Sequence, residues 1–274
     1  MTRASQGSGP ATYDVLRTVA ALVSPIALAT ALLFYFGWVR SEAQARAFGA
    51  DASVFEMSAQ DLILRSVNVL FFPIIGLTLL GILAVRLHPR IQRHGSTAGR
   101  ILSFSWLLAM VGVLLAIVAA PVGRELLPLF VLLAVGGMAY GALLSRNSSP
   151  ERQPLNLPLV GLIATLLIGL VFWQTERIAR LAGASLAADL QANLQASLPE
   201  AAVISSGRLH LIGPGVTEER IPGDESGDTY RYSGLYLLQR SGDKYFLLTD
   251  GWLEGEGRLI VLSDSELIRL EFGQ

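Results

Sequence analysis

Five long apolar runs occupy the first two thirds of the chain, approximately Val15 to Val39, Ile63 to Val85, Ile101 to Ala120, Leu126 to Leu144 and Leu155 to Gln174. At 1.5 Å per residue, runs of about 19 to 25 residues each cover a hydrocarbon core of roughly 30 Å. Buried helices of water-soluble proteins reach this apolarity singly. Five in succession, in a chain of mean hydropathy +0.50 with 16% charged residues, predict membrane spans. Arg3 and Arg17 before the first run and Ala43 and Ala45 after it imitate the flanks of a signal peptide. The run is longer than the roughly 7 to 15 residues of a signal core, so a retained span is expected.

Arginine placement sets the expected orientation, because cationic loops stay in the cytoplasm. The connection from Arg86 to Arg100 carries Arg86, Arg90, Arg93 and Arg100 and no acidic residue, whereas the connection after the first run mixes Arg40 and Arg46 with Glu42, Asp51, Glu56 and Asp61. Residues 1–14 are therefore expected inside, and everything after the fifth span outside. Phe34, Tyr35, Phe36 and Trp38 end span one and Phe172 and Trp173 end span five, which places aromatic belts at the outer surface.

Lys244 is the chain's only lysine, and abundant Arg, Ala, Gly and Leu match GC-rich coding, so a bacterial plasma membrane is the expected location. The sequence has no cysteine, which excludes disulfides and thiolate metal sites. The segments Tyr35-Phe-Gly-Trp-Val-Arg40, Ala47-Phe-Gly-Ala-Asp51 and Gln60-Asp-Leu-Ile-Leu-Arg-Ser66 resemble a pattern in uncharacterised multi-pass membrane proteins of actinobacteria. The resemblance spans residues 35–66. It implies membrane location and source and supplies no activity.

Within the spans, polar groups are few: Ser24, Thr30, Asn68, Thr78, Ser103, Ser105 and Thr165, with Arg65 at the outer end of span two. Proton relays and ion paths need more ionisable groups at membrane depth, which disfavours a coupled pump. Pro25 and Pro73 interrupt spans one and two, a pattern that ordinary kinks explain and broken transport helices share. Gly137 and Gly141 give span four a small-residue face suited to close helix packing, within the chain or between copies. Ser58 and Asp61 form a capping-box-like start to the second helix, and Asp61 stands four residues before Arg65 in ion-pair spacing. Arg65 and Asn68 are candidates for the outer mouth of a cavity. Arg86, Arg90 and Arg93 could meet anionic headgroups, although they already serve as the topology determinant.

After span five the helix is expected to continue outward as a stalk over residues 175–199. Ile178, Leu181, Leu186, Leu190, Leu194 and Leu198 form an apolar face that needs covering, and Pro199 ends the helix. Residues 200–274 predict a small, mostly antiparallel sheet or partial barrel outside the membrane. Its expected strands are Arg208–Ile212, Thr229–Arg240, Lys244–Thr249, Arg258–Leu262 and Leu267–Phe272. Ser241–Asp243 is expected as a three-residue hairpin loop, and Ser263–Glu266 as the link of another strand pair. In the last strand Ile268, Leu270 and Phe272 are expected inward.

The expected fold is thus membrane α-helical: five spans (15–174), a stalk (175–199) and an extracytoplasmic β-domain (200–274). His210 is the sole histidine of that domain, and no hydrolase or metalloprotease signature accompanies it, so no catalytic residue, metal or cofactor is assigned. The acidic loop 223–228 lacks EF-hand spacing and reads as a solvated turn. Two functions stay open: a non-enzymatic protein whose outer domain binds or senses something, and a channel or transporter subunit. Expected partners are the lipid bilayer and a protein or second copy, through Gly137 and Gly141 or the stalk, with no nucleic acid. Phe48, Val54, Phe55 and Met57, in the outer connection, are expected to dock on the tail or the stalk, or to anchor in the membrane interface.

Overall fold

The computed structural model describes residues 25–93, 101–119, 122–147, 156–222, 228–265 and 267–273. Its elements are α1 (Pro25–Ala47), a 3-10 turn (Ala52–Phe55), α2 (Ala59–Arg93), α3 (Trp106–Val118), α4 (Val122–Asn147), α5 (Leu157–Ala192) and α6 (Leu194–Ser197). The strands β1 (Glu200–Ser205), β2 (Thr217–Ile221), β3 (Thr229–Ser241), β4 (Lys244–Leu248), β5 (Leu259–Ser263) and β6 (Ile268–Phe272) follow.

Among the described residues four helical stretches are long and apolar enough to cross a membrane: Ala59–Ile91, Ile101–Val118, Gly123–Leu144 and Leu157–Ala192. The expected first span is not matched. Residues 15–24 lie outside the described residues, and from Pro25 onward α1 carries Arg40, Glu42 and Arg46 in its last turns. The four apolar helices turn much of their hydrophobic surface outward, as Leu64 (70% exposed), Phe72 (69%) and Ile168 (71%) illustrate. That surface is consistent with a membrane protein.

Small residues set the helix packing. A Cβ on Gly37 would lie 1.8 Å from the Leu62 carbonyl oxygen, and one on Gly183 would lie 2.1 Å from the Arg40 carbonyl oxygen, so α1 is pressed against α2 and α5 with backbones in near contact. On α5 the buried stripe is Thr175, Ala179, Gly183 and Ala187, spaced one turn apart. Gly137 serves a similar purpose within the chain: a Cβ there would meet Ser105 at 2.8 Å, and Ser105 Oγ donates to the Ala134 carbonyl. The aromatic belt is divided. Tyr35 and Phe36 each pack 5.1 Å from the Phe172 ring between α1 and α5, while Phe34, Trp38 and Trp173 remain exposed.

α5 runs 36 residues without a break, about 54 Å, from the fifth apolar run into the stalk as far as Ala192, and α6 follows at Leu194. The expected face is covered in part. Leu194 is buried, and Leu190 and Leu198 pack with it against Tyr236 and Leu248 of the sheet, but Leu181 is 49% exposed.

The sheet is antiparallel throughout, in the order β5-β4-β3-β1-β6, with β2 on the free part of β3. Strands β3 to β6 follow the expectation. Arg208–Ile212 forms no strand, because His210 takes the left-handed conformation, and β1 and β2 lie where no strand was expected. The β3–β4 hairpin has two loop residues rather than three, since Ser241 pairs with Lys244 across Gly242 and Asp243. Ser263–Glu266 joins the two edge strands rather than a pair. A flat sheet would hold β5 and β6 about 19 Å apart, yet the link from Ser263 to Ile268 reaches at most about 18 Å. The sheet therefore curls into a partial barrel, with Ile260, Leu262, Ile268 and Leu270 packed on one core of Val203, Tyr232, Leu235 and Leu247. Phe272 leaves the expected inward set and is 56% exposed.

Candidate functional site

The described residues converge on the junction between the α1–α2 connection and the sheet. Its geometry begins with two helix ends. Glu42, 7% exposed, accepts from Arg46 Nε at 2.7 Å and from the Ala52 amide at 2.9 Å, binding the last turns of α1 to the 3-10 turn. Asp51 caps that turn by accepting from the Ser53 amide at 2.9 Å, and the Ser53 hydrogen bonds hold its carboxyl below the usual range. At the start of α2 the expected capping box is complete: Asp61 N donates to Ser58 Oγ at 3.2 Å, and Ser58 N donates to Asp61 Oδ2 at 3.1 Å.

These ends hold an apolar loop against the sheet. Phe55, 3% exposed, packs with its ring tilted 4.6 Å from that of Phe246 of β4, in one cluster with Ala45 and Ala52. Phe48 packs with Ala187, Leu194, Tyr236 and Leu248, its ring 5.5 Å from Trp252. Met57 joins the Phe55 cluster at its edge, whereas Val54 is exposed. Docking on tail and stalk is thus the arrangement of Phe48, Phe55 and Met57.

Polar contacts fix the register of this docking. Lys244 Nζ meets Glu56 Oε1 at 2.6 Å and Ser241 Oγ donates to the Glu56 carbonyl at 3.1 Å, so the β3–β4 hairpin grips the residue after the 3-10 turn. The Glu56 carboxylate raises the Lys244 ammonium above the ordinary lysine value, chiefly through this hydrogen bond. The Asp61–Arg65 ion pair is absent from the described residues, because the Asp61 carboxylate is taken by Ser58. Arg65 instead donates to Gln44 Oε1 on α1 at 3.2 Å and to Gln239 Oε1 on β3 at 2.6 Å. One side chain thereby joins α1, α2 and the sheet. Arg40 Nη1 donates to the Arg65 carbonyl at 2.8 Å.

Of the sequence candidates, the structure brings Phe55 and Arg65 together beside Gln44 and Gln239, and leaves Asp61 exposed at the start of α2 and Asn68 exposed one turn beyond Arg65. Arg86 and Arg90 lie at the far end of α2, which stays helical through Arg93 rather than opening into a loop at Arg86; the side chain of Arg93 and residues 94–100 lie outside the described residues. Of the acidic loop, 223–227 lie outside them too, and Asp228 pairs with Arg220.

Sequence reasoning missed Glu42, Gln44, Gln239 and Trp252. The i,i+4 spacing of Glu42 and Arg46 signals a helix-surface pair but not its capping of Ala52, and nothing local marks the other three. Beside the junction, an open cleft of about 340 Å³ lies between the end of α5 and residues 250–254, lined by Gln191, Asn193, Gln195, Asp250, Trp252 and Glu254. Its Trp252 is the residue that packs on Phe48. No protein-family model, curated protein or solved structure matches this chain.

Proposed function

We propose that the chain is a non-enzymatic, multi-pass protein of a bacterial plasma membrane, with five spans, the N-terminus inside and the β-domain outside. In this reading the β-domain binds or senses a ligand or partner and passes its state to the α1–α2 hairpin. The observation that carries it is the shared junction: Phe48 and Phe55 of the hairpin complete hydrophobic clusters of the sheet, and Arg65 bonds Gln239. A ligand shifts such an element only by binding its two arrangements differently, and Trp252 borders both the cleft and Phe48, where a difference would be felt. Affinity purification of the intact protein from native membranes, beside a chain lacking 200–274, tests it. A ligand or partner retained only with the β-domain is the expected result; equal retention by both chains would sink the reading and favour a path between helices.

A further inference from the structure

The junction holds two arginines that no carboxylate bonds directly, although Asp61 lies within electrostatic reach of Arg65. Among the described residues neither Arg40 nor Arg65 belongs to an ion pair, and their acceptors are all neutral: the Arg65 carbonyl, Gln44 and Gln239. A guanidinium carries five N–H donors. Arg40 spends one of them and Arg65 two, and Arg40 Nε is buried without an acceptor. The Arg40 head is close enough to bond the main chain of Arg65, so two positive charges share one region, an arrangement that water and neutral amides compensate poorly away from bulk solvent. Both residues are partly exposed.

Their level along the helices identifies the missing counter-charge. Arg40 follows the last residue of the first apolar run and Arg65 lies at the start of the second, so both sit at one boundary of the apolar zone. Exposed Trp38 stands two residues before Arg40 at that end of α1. At a membrane boundary the abundant anion is the lipid phosphate, whose oxygens suit the planar fork of arginine. Asn68 lies about one turn further into the apolar zone, exposed among Leu64, Val67 and Phe71. An amide at that depth needs a polar partner, and the glycerol esters of the same lipid lie just beneath its phosphate.

We infer that Arg40 and Arg65 form a phospholipid headgroup site at the outer membrane boundary, the phosphate between the two guanidiniums and the ester region beside Asn68. The inference rests on the membrane reading proposed above. A lipid held there would sit against the side chain that joins α1, α2 and the sheet, so lipid occupancy would bear directly on the junction.

Native mass spectrometry of the full chain tests the site, with phosphatidylglycerol, a diacylglycerol of the same tails, or inorganic phosphate added. Phosphatidylglycerol should be retained and the diacylglycerol lost, and Arg40→Gln and Arg65→Gln should each weaken retention about tenfold. Arg269→Gln removes an exposed cation elsewhere on the sheet, leaves both guanidiniums and their partners, and should keep the lipid. If Arg65→Gln fails to fold, Arg40→Gln and Arg269→Gln still decide the question. Equal retention of the diacylglycerol, displacement of the lipid by millimolar phosphate, or unchanged retention in Arg40→Gln overturns the site. Release of the unmodified chain from membranes by alkaline carbonate would instead overturn the membrane reading, and this inference with it.

Discussion

Arg65 shows how one side chain can carry more of a structure than its neighbours. Its donors reach Gln44 and Gln239, so deleting either the guanidinium or the Gln239 amide should loosen the same contact. Arg65→Ala and Gln239→Leu are expected to be non-additive in a double-mutant cycle. The coupling, read from denaturant midpoints in detergent, should be about 1.5–3 kcal/mol, the range for a hydrogen bond to a charged group. The glycines give a sharper contrast. Gly37 and Gly183 face carbonyl oxygens of neighbouring helices, whereas Gly136 faces open space. Gly183→Val should destabilise the fold by about 3 kcal/mol or more, while Gly136→Ala should be neutral or stabilise by up to about 1 kcal/mol; thermal unfolding of the two variants would separate them. Spacing along the chain reveals the capping box at Ser58 and Asp61, because both partners lie within one helical turn. It cannot reveal the Arg65–Gln239 bond, whose partners are 174 residues apart.

At the scale of elements, legibility follows hydrophobic pattern. Strands β3 to β6 carry apolar or aromatic runs and are readable as strands. β2 reads Thr-Glu-Glu-Arg-Ile and every residue is exposed, so an edge strand that pairs only with β3 leaves no alternation to detect. β1 begins Glu-Ala-Ala, and its small residues disguise a strand buried on alternate positions. The stalk was readable as a helix continuing the fifth apolar run, but the Thr175–Ala187 stripe was not, since it acquires meaning only against α1. The same packing makes a prediction about fragments. A fragment of residues 175–274 supplies Ala187, Leu190 and Leu194 to the sheet and should unfold more cooperatively than one of residues 200–274. Both lack Phe48 and Phe55 and should fall well short of the intact chain, since losing a buried Phe alone costs about 3–5 kcal/mol. Equal stability of the two fragments would remove the end of α5 from the domain's core.

For the whole molecule, the question is whether helices and sheet form one body in the membrane. The unmodified protein contains its own probe. A zero-length carbodiimide joins a carboxylate to an amine, and Lys244 is the only lysine side chain, standing 2.6 Å from Glu56. Treatment in intact membranes should yield a crosslinked peptide pair containing Glu56 and Lys244, and Glu56→Gln should abolish it; absence of the pair in folded protein would detach the hairpin from the sheet. Orientation can be read from single cysteines against a cysteine-free background. Asp243→Cys should react with an impermeant reagent on intact cells and Ser96→Cys should not, and the reverse pattern would invert the topology. In the proposed membrane setting the unbroken α5 would behave as a lever. About 30 Å of its 54 Å fits a hydrocarbon core, which leaves an arm of about 24 Å projecting beyond it. Helices adjust to bilayer thickness by tilting, and a tilt of about 10° would swing the end of such an arm by about 4 Å. The sheet is fastened near that end and again at the α1–α2 hairpin, so a thinning bilayer would strain one fastening against the other.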